Sequence, residues 1–89
     1  MTYRDSLAVA DTSPGEVNAD ANAFFNLGLV CSAGGSEPAD MISAHKWFNL
    51  AATHGHMDAA RLRREIAAEM SSRQIADALR AARDWRTHH

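Results

Sequence analysis

The sequence has few of the residues that build disulfide-rich or membrane-spanning proteins. Its 89 residues include one cysteine and two prolines, and it has no run of about 18 apolar residues, the length that a membrane helix needs. A single cysteine excludes an internal disulfide framework, and the start of the chain lacks the apolar stretch of a secretory signal. We therefore expect a cytoplasmic protein that does not span a membrane.

β-Branched residues are also scarce, whereas alanine, leucine, arginine and glutamate are common. The common residues favour helices, and no segment alternates apolar and polar residues as a half-buried strand does. The sequence thus predicts an all-α fold. Because a chain of this length has room for one hydrophobic core, we place a single helical domain at residues 18–87. Residues 1–17 include the helix-breaking cluster 11–15 and are predicted to form a flexible arm.

The charge balance argues against nucleic acid as a partner. The formal net charge is −2, so the chain offers no large positive field to attract a polyanion. Most arginines follow residue 60, but acidic residues alternate with them, which is typical of a solvated helix surface.

Local signals divide the domain into four helices. Asp40 is placed to cap the start of the second helix, and Gly55 is placed to end it in a left-handed conformation. Ser71 and Gln74 have the spacing of a capping box before the fourth helix. The predicted helices span residues 18–33, 41–54, 58–70 and 72–86.

Apolar residues recur at helical spacing on two sides of the first helix. Phe24, Leu27 and Cys31 form one stripe, and Phe25 and Leu29 form a second stripe beside it. The fourth helix is predicted to carry Ile75, Leu79, Ala82 and Trp85 or Arg86 on one side.

The second helix is predicted to bury Ala44, Phe48 and Ala51, with Trp47 half-buried beside them. Gly28 lies inside the first helix, where glycine costs about 1 kcal/mol relative to alanine. A close approach of another helix would offset this cost. We therefore expect Gly28 to lie opposite Ala44 or Ala51.

The region around residues 23–60 resembles one unit of the Sel1-like repeat family, a relative of the tetratricopeptide repeat. Three segments depart from the family pattern: Cys31 replaces a tyrosine, residues 36–37 replace Gly-Val, and residues 63–64 are arginines where Leu-Gly is typical. The matching positions, in one register with a 36-residue step from the first alanine to the last, are Ala23, Leu27, Gly28, Gly34, Asp40, Ala44, Trp47, Phe48, Ala51, Ala52, Gly55 and Ala59.

The resemblance implies a fold and a function. The fold would be an antiparallel helix-turn-helix repeat at residues 23–58, followed by capping helices at 58–70 and 72–86 in a right-handed superhelical arrangement. The function would be that of a bacterial, non-catalytic adaptor that binds another protein. The structural core of the repeat would comprise Ala23, Phe24, Leu27, Gly28, Ala44, Trp47, Phe48, Ala51, Gly55 and Ala59.

One side of the repeat lacks a neighbouring unit. Repeats bury their apolar sides against neighbours, and the last two helices can replace a neighbour only on the C-terminal side. The candidate partner-binding face is therefore Asn22, Phe25, Asn26 and Leu29. Its occupant could be residues 1–17 through Tyr3, Leu7 and Val9, a second copy in a homodimer, or a helix of another protein. In the alternative, Phe25 and Leu29 pack on the fourth helix.

The residues that could carry chemistry form no recognisable site. His54 and His56 lie close to Asp58, but a structural zinc site needs four well-placed ligands. Cys31 lies on a buried stripe with no recognisable base, and Gly34 belongs to no phosphate-binding loop. We therefore expect a protein that is not an enzyme and has no catalytic residues, cofactor or metal.

A nucleic-acid-binding function is the second hypothesis. Residues 71–76 resemble the start of a helix in a helix-turn-helix DNA reader, and the following arginines could contact phosphates. Against this, Asp77 and Asp84 would repel DNA. The arginines concerned are Arg73, Arg80, Arg83 and Arg86.

Overall fold

The structure, a computed structural model, describes residues 19–34 and 39–88. These residues form four α-helices and no strand, which confirms the all-α prediction for this part of the chain. The predicted arm and its residues Tyr3, Leu7 and Val9 lie outside the described residues. The helices are α1 (Ala19–Ala33), α2 (Met41–Thr53), α3 (Met57–Ala67) and α4 (Ser72–His88).

Both predicted ends of α2 are confirmed. Asp40 has an extended backbone, and its Oδ1 accepts a hydrogen bond of 3.0 Å from the backbone N–H of Ser43. Gly55 has a φ of +95°, a left-handed conformation that favours glycine after a helix. The N–H of Asp40 also donates to the carbonyl of Cys31 at 2.9 Å, which ties the end of α1 to the start of α2.

Side-chain caps also begin the last two helices. The Nδ1 atom of His56 accepts the backbone N–H of Ala59 at 3.1 Å, so α3 starts one residue earlier than predicted. Ser71 and Gln74 form the predicted capping box: each backbone N–H donates to the other's side-chain oxygen, at 2.9 and 3.0 Å. Between these caps, α3 ends at Ala67 instead of residue 70.

The core forms around α2, which packs against α1, α3 and α4. Phe48 is 1% exposed and lies in one cluster with the fully buried Ala44, Ala51 and Ala59. This arrangement confirms the predicted buried stripe of α2. The half-buried residues that pack against the cluster come from α1 and α3: Phe24, Phe25, Cys31, Leu62 and Ile66.

Gly28 is buried, and the atoms nearest to it in α2 belong to an aromatic ring. A Cβ atom added at Gly28 would lie 2.5 Å from both Cδ1 and Cε1 of Phe48. Phe48 lies between Ala44 and Ala51 along α2, and its ring makes the closest approach to Gly28. The small residues still matter, since Ala44 and Ala51 are fully buried one turn to either side of Phe48.

Two leucines, one from the predicted repeat core and one from the predicted apolar side of α4, are exposed. Leu27 is 42% exposed and Leu79 is 46% exposed. In α4 the fully buried residues are Ala78 and Ala82. Alanines at this spacing of four allow α4 to approach α2 closely, and Leu79 then lies about 100° around the helix from Ala78.

Candidate partner-binding surface

The side of α1 that faces away from α2 is unusually apolar for an exposed helix surface. Leu27, Leu29 and Val30 are 42%, 40% and 69% exposed. The only charged residue in α1 is Asp20, in its first turn. Because exposed leucine and valine side chains are costly to hydrate, their grouping on one helix marks this surface as a candidate binding site.

The structure separates the four residues of the predicted face. Asn22 and Asn26 are exposed, like Leu29, and the three positions share one side of α1 at spacings of four and three. Phe25 lies apart from them and is half-buried. Its ring centroid is 4.0 Å from that of His56 and 5.8 Å from that of Phe48. The ring of Phe25 therefore extends from α1 and packs against the junction of α2 and α3.

The residues of the predicted repeat core also fall into groups. Gly28, Ala44, Phe48, Ala51 and Ala59 are buried, Phe24 and Trp47 are half-buried, and Ala23, Leu27 and Gly55 are exposed.

Leu27 and Val30 are surface residues that the sequence analysis missed. Together with Ala23 they form a second exposed apolar stripe, at spacings of four and three along α1. The signal was the composition of α1, which carries apolar residues on every side, whereas a helix at the surface of a small domain needs one apolar side only.

An aromatic cluster lies beside this stripe. The rings of Phe24 and Trp47 are stacked, with centroids 5.8 Å apart and an angle of 16°. Trp85 approaches Phe24 at 6.3 Å and Trp47 at 5.1 Å, both in edge-to-face geometry. The Nζ atom of Lys46 lies 4.0 Å from the Trp47 ring centroid, a cation–π contact. These contacts fix the rings in place.

A cleft of about 260 Å³ opens next to the cluster. Leu50, fully buried, lies at its base, and the half-buried rings of Phe24 and Trp85 form its walls. Asp20 comes from the start of α1 and Arg86 from the last turn of α4, so the rim carries opposite charges. The lining residues are Asp20, Phe24, Leu50, His54, Trp85 and Arg86.

The buried polar groups lie elsewhere, between α2 and α3. Asn49 accepts a hydrogen bond of 2.6 Å from Arg63 through its Oδ1. His45 is 3% exposed, and its Nδ1 atom has no hydrogen-bond partner among the described residues. Burial lowers the pKa of His45, and the positive charge of Arg63 lowers it further. His45 is therefore held as a neutral imidazole.

The single cysteine is poorly suited to nucleophilic chemistry. Burial raises the pKa of Cys31, and the negative charge of Asp40 raises it further. Because the thiolate is the nucleophile, both effects reduce the reactivity of this side chain. Within residues 19–34 and 39–88, no three His, Cys, Asp or Glu side chains are placed to hold a metal ion.

Two arginines of the basic C-terminal part form ion pairs with neighbouring carboxylates. Arg61 pairs with Asp58 at 3.5 Å and with Glu65 at 3.2 Å, and Arg80 pairs with Asp77. All of these pairs join positions three or four apart on the same helix. Such pairing is the pattern expected of a solvated helix surface.

None of the helices in the described segments is long and apolar enough to cross a membrane. Comparisons with family models, with curated proteins and with solved structures found no match.

Proposed function

We propose that this protein is a non-catalytic interaction module that binds another protein along the exposed side of α1. The observation that carries the proposal is the exposed apolar surface of Leu27, Leu29 and Val30 on a helix with one charged residue. Full burial of a fully exposed leucine or valine contributes about 1.5–3 kcal/mol, and a protein partner would gain the share of this that corresponds to the exposed fraction of each side chain.

The shape of the surface favours a helical or extended segment as the bound element. α1 has 15 residues and is therefore about 22 Å long, at 1.5 Å for each residue. An amphipathic helix of similar length can lay its apolar side along such a surface. Asn22 and Asn26 beside the leucines offer side-chain amides to hydrogen-bond a partner's polar groups.

The proposal includes the Sel1-like assignment. In this interpretation α1 and α2 are the two helices of one repeat, α3 and α4 are capping helices in a right-handed superhelix, and the protein is a bacterial adaptor of the cytoplasm. The support is local: Asp40 and Gly55 act at the positions that the repeat pattern uses. The nucleic-acid hypothesis has no comparable support, because Arg61 and Arg80 pair with carboxylates of their own helices.

Affinity capture with matched variants tests the proposal. Leu27→Asp with Val30→Asp adds two charges to the exposed side of α1. Leu79→Asp replaces an exposed leucine of α4 and adds one charge there. Partners that are captured by the wild type and by the Leu79 variant, but lost with the α1 variant, would support the proposal. Equal capture by all three chains would contradict it.

Self-association needs its own measurement, because a second copy of the chain could cover the same surface. Light scattering coupled to size exclusion gives the mass of the wild type and of the α1 variant. A wild-type dimer that the α1 variant converts to a monomer would identify the chain itself as the partner.

A further inference from the structure

We infer that the cleft beside the aromatic cluster receives one large apolar side chain from a partner segment. In that segment a basic residue precedes or follows the apolar residue, and an acidic residue lies on its opposite side along the chain. This inference rests on the proposed function and names the chemistry of the partner. The partner's basic residue would face Asp20, and its acidic residue would face Arg86.

The size of the cleft favours a single side chain over a small-molecule ligand. Its volume of about 260 Å³ lies below the range of about 300–1,000 Å³ that is typical of small-molecule sites. In protein interfaces, by contrast, a few large apolar side chains enter small pockets and supply most of the affinity.

The walls are already in the conformation that binding requires. Phe24 is stacked on Trp47, and Trp85 contacts both rings edge to face. The rings therefore lose little conformational freedom when a side chain enters, which reduces the cost of binding. Leu50 completes an apolar base.

The charges at the rim specify what flanks the apolar side chain. Asp20 and Arg86 line the same cleft, yet neither forms an ion pair with the other or with another residue in the described part of the chain. Both are exposed, so they can pair with a partner without a large desolvation cost. Complementary charges of this kind fix the direction in which a segment binds.

The cleft and the exposed side of α1 can bind one continuous segment. Asp20, Phe24, Leu27 and Val30 recur at spacings of four and three, so they follow one side of the helix. A segment that lies along this side would place one side chain in the cleft and others against Leu27 and Val30. The cleft would thus hold the principal anchor of the proposed interaction.

Selection from a displayed library of random 12-residue peptides, with the full-length chain as bait, tests this inference. The enriched peptides should carry a large apolar residue with a basic residue on one side and an acidic residue on the other. The critical variant exchanges the rim charges, Asp20→Arg with Arg86→Glu, and leaves the net charge unchanged. It should select peptides with the reverse charge order and bind the wild-type peptides about tenfold more weakly.

A matched control exchanges a charge pair within α4 that is absent from the cleft lining, Asp77→Arg with Arg80→Asp. This variant should select the same peptides as the wild type. Binding can be followed by intrinsic fluorescence, because the two tryptophans of the chain both belong to the aromatic cluster. Circular dichroism should give the same helix content for all three chains.

Four outcomes would overturn the inference. If peptides bind the rim variant as strongly as the wild type but lose affinity for Leu27→Asp with Val30→Asp, the cleft is excluded and the proposed function stands. If the wild type selects no peptides but the variant Tyr3→Ser with Leu7→Ser does, the chain's own first residues are the occupant. If the rim variant converts a wild-type dimer to a monomer, a second copy is the occupant. If no chain enriches peptides, the cleft binds no peptide. The proposed function is then tested separately by the capture experiment.

Discussion

The ring of Phe48 occupies the space where any other residue at position 28 would place its Cβ. The hypothetical Cβ atom lies 2.5 Å from two ring carbons, well inside the distance of ordinary contact. The pair joins α1 to α2, since Phe48 belongs to the central cluster and Gly28 to the middle of α1. The contact explains why a helix-weakening residue occupies a buried helical position.

Gly28→Ala is therefore predicted to destabilise the fold, although alanine is the better helix former. The intrinsic gain of about 1 kcal/mol is outweighed by the collision with Phe48, and overpacking of this kind typically costs about 1–3 kcal/mol. Urea denaturation measures the difference. Asn26→Ala in the same helix is the control and should change stability by less than about 0.5 kcal/mol. A Gly28→Ala protein more stable than the wild type would refute the close contact.

Phe48→Ala is predicted to be more damaging than any single change on the surface. The ring is 1% exposed at the centre of the core, and removal of a buried phenylalanine costs about 3–5 kcal/mol. Leu79→Ala, at a position that is 46% exposed, should cost far less. The free energy of unfolding in urea gives both values. A loss below about 1 kcal/mol for Phe48→Ala would mean that the ring lies outside the core.

The two apolar residues of the predicted face should respond differently to the same substitution. Phe25→Asp removes a ring that packs against Phe48 and His56 and places a charge at this half-buried position, so it should lower the melting temperature strongly. Leu29→Asp, at a position that is 40% exposed, should leave helix content and melting temperature close to those of the wild type. Thermal melts followed by circular dichroism separate the two. Equal effects would contradict the different burial of these side chains.

The stability of the protein should fall at mildly acidic pH because of His45. Burial holds the pKa of His45 below its ordinary value of 6.5, so the folded state binds this proton less readily than the unfolded state. The stabilisation is complete above about pH 6.5 and is lost as the pH falls below that value towards the lower pKa of the folded state.

The His45 effect can be isolated from that of the other histidines. Unfolding free energies at pH 7.5 and pH 5.5 are compared for the wild type and for His45→Gln. The wild type should lose more stability between the two conditions than the variant does, because glutamine does not titrate. The same pH dependence in both proteins would assign the effect to other groups.

Local signals predicted the helices well, whereas they did not predict how α1 packs. The helix-end signals involve residues only a few positions apart, so the sequence alone identifies them. They are Asp40, Gly55 and the capping box of Ser71 with Gln74. Leu27 belongs to a helix that carries apolar residues on every side, so the composition of this helix does not indicate which side is buried.

The contact of Gly28 with Phe48 and the burial of Ala78 and Ala82 in α4 depend on how the helices pack against one another. Residues that are distant in sequence determine that packing, so local patterns do not reveal it. The sequence did not indicate the cleft for the same reason. Asn22, Asn26 and Leu29 are exposed, but the aromatic cleft brings together residues from three helices.

The central place of α2 has a consequence for how the sequence can change over time. A buried residue of α1, α3 or α4 must fit against α2, whereas the buried residues of α2 must fit three neighbours. Natural variants and mutational scans should therefore find the lowest tolerance to substitution along residues 44–51. Change should be easiest on the outward side of α1, where a new partner can be acquired without rebuilding the interior.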